Sequence, residues 1–195
     1  MFLKQEIDLP TAITHVVVAA AAGKIYTNRK MPERFWMTAI FCSVVPDADV
    51  IGFSFGIRYG DFFGHRGFFH SIFFAFILSF VLTAIFFRDR KIFSPQWWKY
   101  VLFFFAVGAS HGILDAFTNG GLGIALLSPF DNSRYFFPWT PIQVSPIGLR
   151  MFLSRWGLEV IACEIKYIWL PLLLIYAGSL LLRKAAEKKQ NHILQ

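Results

Sequence analysis

Residues 67–87 run for 21 positions without an Asp, Glu, Lys or Arg, and charge closes the run at both ends: Arg66 before it, Arg88, Asp89, Arg90 and Lys91 after it. At the helical rise per residue such a stretch covers about 30 Å, the thickness of the hydrocarbon core of a bilayer. Hydrocarbon leaves backbone polar groups only each other to bond, so the run is predicted as a membrane-spanning helix. Composition carries that reading to the rest of the 195-residue chain, which is 56% hydrophobic with 24 Phe, only 16% charged, and has a mean hydropathy of +0.52. The expected fold class is therefore an all-α membrane protein, a multi-pass helical bundle of about four to five transmembrane helices in a single integral-membrane domain over residues 1–195.

Further spans follow from the same pattern. Residues 11–26 form a short Ala/Val-rich run that ends near a snorkelling Lys24. Pro32 is placed to open a second helix that runs to about Val45, where Pro46 should end or kink it. Residues 47–59 are apolar but broken by Gly, and suit a continued helix or a re-entrant segment equally well. A span over 97–117 carries Trp97, Trp98 and Lys99 as interfacial anchors and stops at Asn119-Gly120-Gly121. Residues 122–166 form a long connection dense in Pro and aromatics, in which Trp139 is expected to serve as a lid or lipid contact. A last span and basic tail occupy 167–195.

The formal charge of +7 sits in short clusters between the apolar runs, which the positive-inside rule explains and nucleic-acid binding does not. With five spans, Arg29/Lys30/Arg34, Arg88/Arg90/Lys91 and Arg183/Lys184/Lys188/Lys189 share one side, read as cytoplasmic and carrying the C-terminus. The first ten residues, with Lys4, Glu6 and Asp8, lack the pattern of a secretory signal and are read as a mature N-terminus. Cys42 and Cys163 are read as small apolar side chains.

Under this parity the ionisable residues inside or beside the spans all reach the outer face: His15 at the start of span one, Asp47 and Asp49 at the end of span two, His65 and His70 at the start of span three, His111 and Asp115 at the end of span four. His111 and Asp115 are four apart, about 40° around a helix, and so share a face. His65 and His70 are five apart, roughly 140° around, so His65 with Arg66 belongs to a loop and His70 to the first turn. Taken singly, each has a plain alternative: a cap, an interfacial collar, a Pro-Asp turn. Taken together, imidazoles and carboxylates within a membrane are costly unless partnered, and their mixture suits zinc, or Mn or Fe, better than Mg or Ca. His15, Asp47, His70, His111 and Asp115 are the metal-ligand candidates, enough for one or two ions. Asp49 is a base or an outer partner, His65 and Arg66 face the substrate, and Arg66 with Arg134 is suited to an anionic group.

Thr14-His15, Pro46-Asp47-x-Asp49, Gly64-His65-Arg66-Gly67-x-x-His70-Ser71 and Ser110-His111-x-x-x-Asp115, followed by Thr118, Gly121, Pro129-Phe130 and Arg134-Tyr135-Phe136-Phe137-Pro138, resemble the signature order of the YdjM-like family of inner-membrane proteins. The resemblance covers roughly 11–145 and implies a multi-pass protein of the cytoplasmic membrane with a hydrolase-like metal site. Asn119 departs from the Pro expected there, which bears on a helix stop more than on chemistry. The His and Asp order is also similar to zinc-dependent phospholipases C, by analogy alone.

The leading functional expectation is a metal-dependent hydrolase at the outer face of the cytoplasmic membrane, acting on a phosphoester or lipid-linked substrate among membrane lipids. The alternative is a metal-binding transporter or sensor without hydrolysis, against which stands the clustering of ligands toward one face. A metal-free lipid phosphatase fits less well, because the Pro-Ser-Gly-His motif it needs is absent. A purely structural role for the polar set is the remaining reading.

Overall fold

The structure, a computed structural model, describes residues 8–9, 11–146 and 152–193. Lys4 and Glu6 of the segment read as a mature N-terminus lie outside the described residues, as does the side chain of Asp8. The regular structure among the described residues is helical, apart from a two-residue antiparallel pairing of β1 (Asp8–Leu9) with β2 (Ser145–Pro146), while residues 56–67 and 116–144 are irregular. Helix α1 (Ala12–Tyr26) opens on Thr11, whose side chain accepts from the Thr14 backbone N–H. Helix α2 (Glu33–Val44) starts directly after Pro32. The α-helix ends just before Pro46, as expected, but the chain goes on as a 3₁₀ segment, Val45–Phe55, and the two together form one apolar element, Glu33–Phe55. Residues 47–55 thus continue the helix, and the chain leaves it at Gly56 in the left-handed conformation.

The long apolar run starts later than its charge-free length suggests. A single 3₁₀ turn, Phe68–His70, precedes Ser71, which is extended and accepts from the Phe74 backbone N–H, so α3 covers Ile72–Phe86, 15 residues. The N-cap chemistry of Ser71 overrides the continuity of hydropathy. Helix α4 (Pro95–Asp115) is capped by Ser94 and packs against both α3 and α2. The connection after it is shorter than expected, because α5 (Arg155–Glu164), a π-helical turn (Ile165–Trp169) and α6 (Leu170–Ile193) continue one into the next. Pro171 falls directly after the π-helical turn, inside this continuous helix.

Among the described helices, Glu33–Phe55 and Arg155–Asn191 are long and apolar enough to cross a membrane, while Ala12–Tyr26 and Ile72–Phe86 are shorter apolar helices. The expectation of four to five spans thus meets two helices of spanning length. Along the last helix Leu174 and Leu182 are 72% and 75% exposed, which marks a face built for an apolar surrounding.

The apolar core lies between α1, α2, α3 and α4 and centres on Phe35, Ala39, Cys42, Phe103, Phe104 and Val107. It fills the half of the bundle toward the α1–α2 turn, and Cys42 is one of its small members. The basic clusters meet at that same end. Arg34 pairs with Asp89 at 2.9 Å, and Arg183 donates to the carbonyls of Lys24 and Ile25 at the C-terminus of α1. Cations there complement the helix dipole.

Candidate metal centre

The opposite end of the bundle gathers the first turn of α1, the 3₁₀ extension of α2, the loop before α3 and the last two turns of α4. Gly112 makes the approach possible: a Cβ there would stand 2.3 Å from the His70 carbonyl oxygen. Side chains from all four segments converge on a buried polar pocket. His15, His65, Arg66, His70, His111, Asp49 and Asp115 are all buried.

His111 Nδ1 lies 2.7 Å from the Ser43 carbonyl oxygen. A carbonyl only accepts, so Nδ1 carries a proton, and in the neutral ring Nε2 presents a lone pair. That lone pair faces other acceptors: Asp47 Oδ1 at 3.3 Å and Asp115 Oδ2 at 3.8 Å. His70 Nε2 stands 3.5 Å from Asp47 Oδ1 and 3.5 Å from Asp115 Oδ2, and His15 Nε2 stands 3.4 Å from Asp115 Oδ1 while its ring stacks on His111 at 3.8 Å. One ligand atom each from Asp47, His70, His111 and Asp115 lies within 4.8 Å of every other. Both oxygens of Asp47 and Asp115, both nitrogens of His15 and His70, and His111 Nε2 are buried without a hydrogen-bond partner.

Electrostatics make the same demand. Asp47, Asp49 and Asp115 face one buried guanidinium, Arg66, whose Nε lies 3.6 Å from Asp115 Oδ2. With the imidazoles neutral, two negative charges are left over. Buried uncompensated charge is expensive, and either a bound cation or protons on the facing imidazoles would balance it. The donor set of imidazole nitrogens and carboxylate oxygens is one that could hold a metal ion.

Asp49 has a different place. It accepts from His65 Nδ1 at 2.7 Å and from the Arg66 backbone N–H at 3.3 Å, and its second oxygen lies 3.1 Å from His70 Nδ1. It orients the His65 ring and stands against that of His70. Asp49, His65 and His70 form a second group of suitable spacing for a cation, sharing His70 with the first. With Nδ1 donating to Asp49, His65 keeps a buried lone pair on Nε2, and burial holds this ring below its ordinary pKa.

Arg134 stands apart. Its guanidinium donates to the backbone carbonyls of His65 at 2.8 Å and Tyr59 at 2.9 Å, with longer contacts to those of Gly123 and Asp61 at 3.4 Å each. Its donors hold the loop before α3 in shape. Trp139 is 62% exposed and packs edge-on against Phe117 and Tyr167, away from the carboxylates.

Three contributors have no mark in the sequence pattern. The Ser43 carbonyl is backbone. Glu164, fully buried at the end of α5, accepts from Thr11 N at 2.7 Å, Thr11 Oγ1 at 2.6 Å and Thr14 Oγ1 at 2.7 Å, which anchors the turn that carries His15. Tyr59 is buried beside His65, with ring centroids 5.2 Å apart.

The sequence profile described as YdjM inner membrane protein matches residues 11–187. Inner membrane protein YbcI of Escherichia coli (strain K12) is 37% identical over 167 residues, covering 86% of this chain and 95% of that protein. No solved structure matches. A match across the site segments and the last helix alike leaves one assignment: the chain belongs to the YdjM family of inner membrane proteins.

Proposed function

We propose that this protein is a metal-dependent hydrolase of the cytoplasmic membrane that acts on a phosphoester or lipid-linked substrate at the outer face. The observation that carries the reading is the convergence of Asp47, His70, His111 and Asp115, from three chain segments, on one point with their ligand atoms unpartnered. In this reading the bundle crosses the membrane four to five times. Its basic end and C-terminus are cytoplasmic, as the positive-inside rule requires, and the polar pocket opens outward.

His15, Asp47, His70, His111 and Asp115 would hold the ion, zinc being the best match to a mixed imidazole and carboxylate set. When bound, such an ion supplies a more acidic water and polarises the scissile group. Asp49 fixes the rings of His65 and His70, and His65 Nε2 is the free base positioned to take a proton. Arg66 meets the anionic group. Arg134 acts through the loop it holds.

The test is hydrolysis by the purified full-length protein of bis(p-nitrophenyl) phosphate and of phospholipids extracted from inner membranes. Cleavage of either that is lost on chelation and restored by added zinc is the expected result. Cleavage indifferent to chelation contradicts the reading. Metal carried across a sealed vesicle with no cleavage would establish the transporter in its place.

A further inference from the structure

The polar pocket has an apolar neighbour. A groove of about 520 Å³ lies against the 3₁₀ extension of α2, lined from that segment by Val45, Ala48 and Asp49 and from the loop and the start of α3 by Phe63, Phe69 and Phe74. That volume is of the order of a small-molecule site, about 300–1,000 Å³. The three rings run on from one another: Phe69 lies 5.7 Å from Phe63 and, across the Ser71 cap, edge-on to Phe74 at 5.1 Å. Ala48 is exposed and Phe63 is 49% exposed, so the groove is open to the surroundings of the bundle.

Asp49 is the polar member of this lining, and it belongs to both sites. Its side chain is fully buried, with the carboxylate turned away from the groove to His65 Nδ1 and His70 Nδ1. The other nitrogen of the same His70 ring faces Asp47 and Asp115. One carboxylate and one imidazole therefore separate the groove from the ligand set.

An apolar groove offers water no hydrogen-bond partners. This one is borne by Glu33–Phe55, a helix of spanning length in an inner membrane protein, so hydrocarbon is the material at hand to fill it. A second crevice of about 510 Å³, to which Phe76, Phe105 and Leu127 contribute, is as large, but no member of the polar cluster lines it. Continuity with the candidate metal centre is what singles out the groove at Asp49.

We propose that this groove seats one fatty acyl chain of a glycerophospholipid and so holds that lipid beside the metal centre. The lipid's role as substrate rests on the hydrolase reading; the seat itself does not.

The experiment places the full-length protein in vesicles of phosphatidylethanolamine and phosphatidylglycerol, with a trace of phosphatidylglycerol that carries a diazirine midway along one acyl chain. After illumination, mass spectrometry maps the labelled residues, and hydrolysis of the same lipid is followed in parallel. Label is expected to concentrate in the groove over the Phe105 and Leu127 crevice. Ala48→Trp, at an exposed position, puts an indole where the chain would lie and is expected to lower groove label about tenfold. Phe74→Trp, which enlarges the α3 side, should lower it too, whereas Leu127→Trp should leave it unchanged. Equal label in the two crevices overturns the proposal, as does groove label that survives both fillings. Groove label without any hydrolysis would sink the hydrolase reading and leave the seat standing. Hydrolysis by Ala48→Trp at the wild-type rate, with groove label gone, would overturn the seat's part in holding substrate and leave the hydrolase reading intact.

Discussion

Asp115→Ala is expected to be the most damaging single substitution in the chain, removing bound metal and destabilising the fold together. The carboxylate is fully buried and lies within 3.8 Å of nitrogens from His15, Arg66, His70 and His111. Truncation withdraws the one group common to three imidazoles. It also leaves the buried Arg66 guanidinium without its carboxylate partner, and stranding one member of a buried ion pair costs about 3–5 kcal/mol. That is a large part of a typical folding free energy of about 5–15 kcal/mol. Asp115→Asn separates the two effects, since the amide keeps the shape and an acceptor for Arg66 but gives up the charge. Metal analysis and thermal unfolding in detergent should show both variants without metal and the alanine variant melting well below the asparagine one. Full metal content in either would remove Asp115 from the ligand set.

Glu164→Ala is expected to damage the site from a distance. Glu164 accepts from the Thr11 amide and from the hydroxyls of Thr11 and Thr14, and Thr14 Oγ1 in turn accepts from Trp169 Nε1 at 2.8 Å. This cluster ties the end of α5 and the π-helical turn to the start of α1, one residue before His15. Leaving three buried donors without an acceptor costs roughly 3–5 kcal/mol. With the first turn of α1 released, His15 loses its fixed place against Asp115. The expected result is a lower unfolding temperature and a several-fold weaker hold on metal, with Glu164→Gln intermediate in both. A variant that loses stability but keeps wild-type metal affinity would show that His15 is not a ligand.

The site was legible in the sequence to the extent that its members are chemically out of place. His15, His70, His111 and Asp115 stand in runs of Ala, Val, Phe and Leu, and the alternation of spans sent them to one end, where the structure brings them together. Their local environment was less legible. The charge-free run 67–87 hid the break at Ser71, because hydropathy does not register that a serine side chain can cap a helix. Pro46 looked like a stop, and the chain absorbed it by changing to a 3₁₀ path. The Ser43 carbonyl could not be foreseen, since every residue has one, and what makes it matter is the His111 ring beside it. Arg134 looked like an anion ligand, but its donors meet backbone carbonyls of a loop some 70 positions earlier in the chain. Tyr59 acquires meaning only as a neighbour of His65.

The measurement that bears most directly on the central claim is the metal content of the intact protein purified without chelator, compared with His111→Ala. The Nε2 lone pair of His111, aimed at two carboxylates because Nδ1 is committed to Ser43, is the clearest single demand for a cation. About one divalent transition-metal ion per chain in the wild type, with that metal lost from a folded His111→Ala, is the predicted result. A wild-type protein without stoichiometric metal, or a His111→Ala variant that retains it in full, would contradict the account.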